Sequence, residues 1–264
     1  MISDYHLHTE FSGDSETPPE AMVEQAIKLG MKSMCFTDHV DFDIPSTQFM
    51  IDENAYFEKM QALQAQYRDR IDINIGVELG LQPHLTERHH EYVNQYPFDF
   101  IIGSLHIVDG KDPYYPEVFK GKEDSKVYRA YFEQFLENLK VFSEFQTVGH
   151  IDYVVRYGNH KAEQYSYEAY ADILDEILCE IIDKGLGIEI NTAGIKAGLG
   201  FPNPHPDVIR RYKELGGEII TFGSDAHVPE YIGYKFEQMR QMLLGMGFKY
   251  YAEFKQRKMM MKKL

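Results

Sequence analysis

The sequence predicts an α/β protein in which a sheet of parallel strands is covered by helices. Seven short runs rich in Val, Ile, Phe and Leu alternate with longer segments whose apolar residues recur with helical periodicity. Polar residues, many of them His, Asp or Glu, follow the runs directly. This alternation is typical of a (β/α) barrel, whose active face is formed by the carboxyl ends of the strands.

The predicted elements follow one another along the whole chain. The strands cover residues 2–7, 33–37, 72–78, 98–105, 146–150, 187–191 and 218–223. Pro18 and Pro19 are expected to open the first helix and Gly30 to end it. The segment 53–68 is expected to be helical because its apolar residues recur at steps of three and four. Further helices are predicted over residues 83–95, 125–144, 166–184, 205–215 and roughly 235–257. The basic tail from Lys255 is expected to be the fraying end of the last helix.

Length and composition limit the classes of function. With 264 residues, 44% of them hydrophobic, the chain is expected to form one domain with a sizeable core. The net charge of −15 argues against binding to nucleic acid, because phosphate backbones would be repelled over most of the surface. We see no secretory signal and no apolar run as long as a membrane span, so we expect a cytosolic protein that binds no membrane. Cys35 and Cys179 lie in apolar patterns without a metal-binding spacing and are expected to be buried thiols. The sequence does not indicate the oligomeric state.

The residues that follow the strands carry the functional signal. His6 and His8 lie two residues apart, as do Asp225 and His227, so each pair faces one side of an extended segment. Other strand ends carry His39, Glu78, His106 and His150, and six of the eleven histidines therefore lie at such ends. One histidine there is more often a hydrogen-bonded core or loop residue, but packing does not explain six at the same phase of the repeat. We therefore expect a metal site. Four of the remaining histidines are expected to be solvated, namely His84, His89, His90 and His160.

Taken in order, the motifs at the strand ends resemble those of the polymerase-and-histidinol-phosphatase (PHP) superfamily. They are His-x-His, Asp14, Thr-Asp-His, Gly-Val-Glu, Gly-Ser-Leu-His, Gly-His-Ile-Asp and Ser-Asp-Ala-His, running from Tyr5 to His227. Within the superfamily they are similar to the histidinol-phosphatase branch found in bacteria. The resemblance implies a distorted seven-stranded (β/α)7 TIM-like barrel, a single domain over residues 1–264 and a trinuclear metal centre.

The resemblance also implies which residues bind the three ions. One ion is expected to take His6, His8, Glu78 and Asp225, a second Asp14, His39 and His227, and a third Glu78, His106 and His150, with Glu78 bridging. Many relatives outside this branch have His where Asp14 stands. Imidazole and carboxylate ligands suit Zn²⁺, Fe or Mn²⁺, and ligand type alone does not choose among them. Glu78, Asp225 and His227 are expected to serve catalysis through the ions, which activate water and require no protein nucleophile.

Four further residues are expected near the ligands. Asp38 and Asp152 are expected either to accept a hydrogen bond from a ligand imidazole or to cap a loop or helix. Arg156 and Lys196 lie on loops of the same face and are expected to bind the phosphoryl group, Arg in a bidentate manner and Lys as a point charge.

Substrate contacts are also expected from two loops. His205 is expected either to assist in phosphate binding or merely to begin a helix. The connection 107–122 is a candidate lid, whose aromatic residues would stack on an imidazole and whose Glu117 would meet a substrate ammonium group. Surface packing of its tyrosines is the alternative.

We therefore expect an enzyme that hydrolyses L-histidinol phosphate to L-histidinol and phosphate, a step of histidine biosynthesis. The alternative is a PHP phosphoesterase that acts on another small phosphomonoester or a nucleotide. A metal-binding regulatory module without activity would lack some ligands, and none of the motif positions is missing. An amidohydrolase also begins with His-x-His in a barrel, but the Gly-Ser-Leu-His and Gly-His-Ile-Asp motifs fit that class less well.

Overall fold

A curled parallel sheet forms the centre of the protein, as the alternation of strands and helices predicts. The computed structural model describes residues 1–44 and 49–264. The strands are β1 (Ser33–Phe36), β2 (His39–Val40), β3 (Asp72–Gly80), β4 (Phe100–Ser104), β5 (Thr147–Val148), β6 (Gly187–Asn191) and β7 (Ile220–Gly223). They are ordered β1-β3-β4-β5-β6-β7, with β2 paired to the carboxyl half of β3. Nearly all residues of these strands are buried, which is typical of a parallel sheet covered on both faces.

The amino-terminal segment closes this sheet into a distorted barrel. Its residues lie between β1 and β7, because the Cys35 amide donates to the Asp4 carbonyl and the Tyr5 amide donates to the Phe222 carbonyl, both at 2.9 Å. The strand predicted over residues 2–7 is present as an extended segment with isolated parallel bridges, one of which joins Leu7 to Ala226. The first and last parts of the metal-binding pattern are thereby brought side by side.

The helices surround the sheet with their apolar sides inward. They are α1 (Pro19–Lys28), α2 (Glu53–Tyr67), α3 (Thr86–Gln95), α4 (Asp124–Val141), α5 (Ala171–Asp183), α6 (Ala193–Lys196), α7 (Pro206–Glu214) and α8 (Phe236–Gly245). Helix α1 begins with proline and ends just before Gly30, whose φ of 79° is in the left-handed region, as predicted from these residues. Helix α2 begins after Asp52, whose carboxylate accepts from the Ala55 amide.

The carboxyl terminus differs from the prediction. The helix expected to reach residue 257 ends at Gly245, and the tail forms an antiparallel hairpin of β8 (Tyr250–Lys255) and β9 (Lys258–Lys263). Gly247 breaks the helix because its φ of 89° is left-handed. Phe254 of β8 stacks on Phe100 at the start of β4, with ring centroids 5.2 Å apart, so the hairpin packs on the amino-terminal end of the barrel.

Two expectations about burial are wrong. Cys35 is buried as predicted, but Cys179 is exposed, because the apolar stripe of α5 runs through Ile177 and Leu178 and leaves Cys179 on the outer side. His89 was expected in solvent and is instead buried against the ring of Phe142, with centroids 5.3 Å apart. In the part of the chain that the structure describes, no helix has the length and apolar character needed to cross a membrane.

Candidate metal centre

The closing of the barrel places two pairs of donor side chains next to each other. The Asp225 amide donates to the His6 carbonyl and the His8 amide donates to the Ala226 carbonyl, both at 3.0 Å. Asp225 has a φ of 54°, a left-handed conformation that turns the chain directly after β7. The Asp225 Oδ1 lies 3.5 Å from His8 Nε2 and 3.8 Å from His227 Nδ1.

Glu78, near the end of β3, lies at the centre of the cluster and is fully buried. Its Oε2 atom lies 3.1 Å from His6 Nε2, 3.5 Å from His8 Nε2 and 3.0 Å from His39 Nδ1. The parallel register sets His39 of β2 directly opposite Glu78, which explains the last contact.

The second oxygen of Glu78 faces a different set of groups. Its Oε1 atom lies 2.9 Å from His150 Nε2 and 3.2 Å from His106 Nε2, and it accepts from the Ser104 hydroxyl at 2.6 Å. The two oxygens of one carboxylate therefore divide five imidazoles between them. This is the arrangement that a bridging carboxylate requires.

The predicted ligands fall into compact groups of donor atoms. Within the described residues, potential metal-binding groups include His6/His8/Asp225, His8/His39/His227, Glu78/His106/His150 and His39/Asp41/His106, each with its atoms within 4.8 Å of one another. Asp14 joins the second of these, because its Oδ2 lies 3.1 Å from His227 Nε2 and 3.7 Å from His39 Nε2. All nine predicted metal ligands are thus brought to one end of the barrel.

Several buried donor atoms of the cluster have no hydrogen-bond partner. They include His6 Nε2, His8 Nε2, His39 Nδ1 and Glu78 Oε2. Buried polar atoms are nearly always satisfied in folded proteins, because leaving one unpaired costs about 1–3 kcal/mol. A cation held between these lone pairs would satisfy them together. The donor set therefore fits a site for divalent metal ions.

The electrostatics of the cluster favour a positive charge at its centre. Burial alone would raise the pKa of Glu78, but the imidazoles of His6, His106 and His39 hold it well below its usual range. Burial, together with the neighbouring His227 and His39, lowers the pKa of His8 well below its usual value. Burial alone would also lower the pKa of His6, His39 and His106, but the neighbouring carboxylates hold it well above its usual value, so these three rings would release protons when a metal binds.

Two buried carboxylates that the sequence interpretation missed lie behind ligand imidazoles. Glu189 Oε1 lies 2.5 Å from His6 Nδ1, and Asp41 Oδ1 lies 2.9 Å from His106 Nδ1. Glu189 stands between two isoleucines in a fully buried strand, and a charged residue at such a position is the signal that would have identified it.

Arg156 is held by three acceptors rather than directed freely into solvent. It donates from Nε to Asn203 Oδ1 at 2.7 Å, from Nη1 to Asp225 Oδ2 at 3.0 Å and from Nη2 to Asn191 Oδ1 at 2.9 Å. Three of its five N–H groups are thereby used. The side chain still lines the cavity above Glu78, so the predicted phosphate contact is compatible with its two remaining N–H groups.

Asp38 and Asp152 contact backbone and neighbouring side chains rather than ligand imidazoles. Asp38 accepts from the Thr9 amide at 2.7 Å and from the Ser12 hydroxyl, also at 2.7 Å. Asp152 accepts from the His205 amide at 2.8 Å and from the Asn203 side chain. Of the two roles considered for them, the structure supports the loop-capping one.

An open cavity lies above the donors. A space of about 420 Å³ is lined by four tyrosines together with His39, His106 and His227, and a neighbouring space of about 220 Å³ is lined by Glu78, Arg156 and Lys196. The tyrosines are Tyr114, Tyr115, Tyr153 and Tyr157, of which the first two come from the predicted lid. No serine or cysteine is among the described residues that line either space.

Two residues predicted to contact the substrate, Glu117 and His205, are not among the described residues that line either space. Glu117 is exposed on a short 3₁₀ helix (Pro116–Val118) that directly follows the two lid tyrosines. His205 caps α7 by accepting from the Asp207 amide and packs against Phe201, so of the two roles considered for it the structure supports the start of a helix. Lys196, at the end of α6, lines the cavity, with its ammonium 4.7 Å from the centroid of Tyr231.

Comparison with known proteins gives a consistent set of relatives. The family model described as PHP domain matches residues 4–193. A histidinol-phosphatase of Lactococcus lactis is 32% identical over 262 residues, covering 95% of this chain and 93% of that protein. A probable histidinol-phosphatase of Clostridium acetobutylicum is 33% identical over 246 residues, covering 92% of each chain.

Solved structures extend the likeness to the whole fold. The crystal structure of the Lactococcus lactis histidinol phosphate phosphatase, complexed with zinc, L-histidinol and phosphate, superimposes with a TM-score of 0.91, 32% identity and 98% coverage of both chains. A putative histidinol phosphatase from Listeria monocytogenes shares the fold, with a TM-score of 0.79 at 22% identity and coverage of 89% of this chain and 99% of that one.

Proposed function

This chain belongs to the PHP domain family, and from that membership we propose that it is a metal-dependent phosphomonoesterase that hydrolyses L-histidinol phosphate to L-histidinol and phosphate. The observation that carries the proposal is the division of five imidazoles between the two oxygens of Glu78, beneath a cavity lined by tyrosines. The related enzyme whose structure contains zinc, L-histidinol and phosphate supports the choice of substrate.

The proposed cofactor is a set of three divalent ions, Zn²⁺, Fe or Mn²⁺. The proposed ligands are His6, His8, Glu78 and Asp225 for one ion, Asp14, His39 and His227 for a second, and Glu78, His106 and His150 for a third. Donor groups with atoms within 4.8 Å of one another support each set. When bound, such ions supply an activated water and neutralise charge on the phosphoryl oxygens.

Other side chains of the proposed site bind and orient the phosphoryl group. We place the phosphoryl oxygens beside Arg156 and Lys196, which line the smaller part of the cavity together with Glu78. Arg156 is already held in a fixed orientation by Asn191 and Asn203, so its free N–H groups would meet the substrate without loss of rotamer freedom.

The larger part of the cavity is proposed to take the imidazole and ammonium groups of the substrate. Its volume of about 420 Å³ is within the range of small-molecule sites. Tyr153 and Tyr157 offer ring faces for stacking, and the carboxylate of Asp112 lines the same space and carries the charge that an ammonium group requires.

We also propose that residues 1–264 act as one PHP-type domain. The family model ends at residue 193, whereas Asp225 and His227 lie beyond it. Both residues contact donors from the first part of the chain, since Asp225 is 3.5 Å from His8 and His227 is 3.1 Å from Asp14. A fragment ending at residue 193 would therefore lack part of the site.

A panel of phosphomonoesters tests the function. We expect metal-loaded protein to hydrolyse histidinol phosphate with a kcat/KM at least about 100-fold above that for p-nitrophenyl phosphate, glycerol phosphate or a nucleoside monophosphate, because only the first combines a phosphoryl group with an imidazole and the ammonium group that Asp112 would meet. Equal values across the panel would remove the substrate assignment and leave a general phosphatase. Absence of turnover of every ester would contradict the reaction class.

A further inference from the structure

Two imidazoles of the cluster have a buried carboxylate behind their Nδ1 atom, Glu189 behind His6 and Asp41 behind His106. We propose that Glu189 and Asp41 are positioning residues: each accepts the Nδ1–H of one imidazole, of His6 and His106 respectively, and so aims its Nε2 atom at Glu78. The inference rests on the proposed metal-dependent function. Under this proposal the two residues keep the ion positions of the centre separate from each other.

The contacts of Glu189 leave it no free oxygen for a metal. Its Oε1 lies 2.5 Å from His6 Nδ1, and its Oε2 accepts from the His150 amide and from the Asn191 side chain, both at 3.0 Å. An ionised carboxylate only accepts hydrogen bonds, so His6 must donate from Nδ1. His6 Nε2 then presents its lone pair 3.1 Å from Glu78 Oε2, which is itself without a hydrogen-bond partner.

Asp41 presents one oxygen in the same way on the other side of Glu78, while its Oδ2 lies 3.7 Å from His39 Nδ1. Its Oδ1 lies 2.9 Å from His106 Nδ1, and His106 Nε2 lies 3.2 Å from Glu78 Oε1. The supported imidazoles therefore face opposite oxygens of the same carboxylate. A carboxylate behind a ligand imidazole fixes the orientation of the ring and raises its basicity, so both rings are held as ligands for different ions.

Glycine makes room for each of the two carboxylates. A Cβ atom on Gly80 would lie 1.8 Å from Asp41 Oδ1, and a Cβ atom on Gly223 would lie 1.9 Å from Glu189 Oε1. Neither glycine has a φ in the left-handed region, so the backbone does not require glycine at these positions. The requirement is space, and the group that uses the space is the supporting carboxylate in both cases.

The surroundings of the two carboxylates predict different responses to amide substitution. Glu189 receives three donors on two oxygens, so Glu189→Gln, with one oxygen, cannot accept from all of them and must set its NH₂ group against a donor. The Asp41→Asn oxygen is still able to accept from His106, whereas Asp41→Ala is not. Gly80→Ala should displace Asp41 without changing its chemistry and should therefore resemble Asp41→Ala.

The test measures metal affinity by chelator competition on zinc-loaded protein, with Glu253→Gln as the matched control. Glu253 is a buried glutamate of β8 that accepts from the Ser3 and Tyr251 hydroxyl groups, away from the donors. We expect Glu189→Gln, Asp41→Ala and Gly80→Ala each to weaken the binding of one ion by about 10- to 100-fold, and Asp41→Asn to weaken it less. With excess metal, the kcat of these variants should return towards the parent value, and their KM should change little. The control should lower the melting temperature and leave metal affinity unaltered.

Proton NMR of zinc-loaded protein gives an independent signature. Slowly exchanging Nδ1–H signals of His6 and His106 are expected in the parent, and the first should be shifted or lost in Glu189→Gln and the second in Asp41→Ala. Parent-like metal affinity in both variants, with stability reduced as in Glu253→Gln, would overturn the proposal, as would a parent that binds no zinc. Because metal affinity is measured without substrate, failure to hydrolyse histidinol phosphate would refute the proposed function and leave this result standing.

Discussion

Replacement of Arg156 by Ala should damage both the stability of the protein and its capture of phosphate. The guanidinium is 7% exposed and is bonded to Asp225, Asn191 and Asn203 at 2.7–3.0 Å. Removing one partner of a buried ion pair costs about 3–5 kcal/mol, because the other charge stays buried without compensation. At roughly 2–4 °C per kcal/mol for a chain of this size, the melting temperature should fall by about 10 °C.

A lower kcat/KM is expected in addition to this loss of stability. A hydrogen bond to a charged group contributes about 1.5–3 kcal/mol, so kcat/KM for histidinol phosphate should fall by about 10- to 100-fold at saturating metal. Arg156→Lys keeps the charge and loses the planar fork, so it should lie between the parent and Arg156→Ala in both properties. The assays are thermal unfolding, metal content and steady-state kinetics on the same preparations.

Two outcomes would refute this reasoning in different ways. An unchanged unfolding midpoint would show that the three bonds of Arg156 contribute little to the fold. Reduced stability with a normal kcat/KM at saturating metal would show that Arg156 only supports Asp225 and its neighbours and does not bind the phosphoryl group.

Two further predictions follow from the same structure. Glu78→Gln should lower kcat/KM by roughly 100-fold or more and reduce metal content, because Glu78 is proposed to bridge two ions. His160→Gln should leave both quantities unchanged, because the ring of His160 is exposed outside the cavity. Equal activities of these two variants would contradict the ligand assignment. Burial lowers the pKa of His89 to about 4. Because this pKa is about 6.5 in the unfolded chain, the unfolded protein binds more protons than the folded protein between pH 6.5 and 4. About 3 kcal/mol of the free energy of unfolding present above pH 6.5 should therefore be lost as the pH falls through that window. Denaturant unfolding of His89→Phe against pH should show a shallower decline than the parent, and parallel curves would be inconsistent with this assignment.

Much of the barrel can be predicted from the sequence, because the spacing of apolar residues along each element reflects which of its side chains must be buried. Buried parallel strands require continuous apolar runs, and the helices that cover them require apolar stripes, so both leave strong patterns. The donor cluster is readable for a related reason. Residues such as His106 and His150 follow apolar strands at a phase where packing would select aliphatic side chains, and parallel strand ends meet at one edge.

The features that the sequence did not reveal depend on three-dimensional placement. The terminal hairpin turns at Gln256 and Arg257, which have φ values of 50° and 60°, and these residue types give no glycine or asparagine turn signal. Glu117 and His205 lie on loops whose direction is set by local caps and turns rather than by periodicity. Glu189 lies beside His6 only because Gly223, far along the chain, leaves space for its carboxylate.

Return of metal to metal-free protein tests whether hydrolysis depends on ions held by the donors around Glu78. Hydrolysis of histidinol phosphate and the melting temperature are followed while Zn²⁺ or Mn²⁺ is added in measured equivalents. We expect no turnover without metal, because no cation is then present between the donors around Glu78 to activate water. Both properties should recover as metal is added, and the recovery should saturate near three equivalents per chain. Full turnover by protein shown to be free of metal would contradict this expectation.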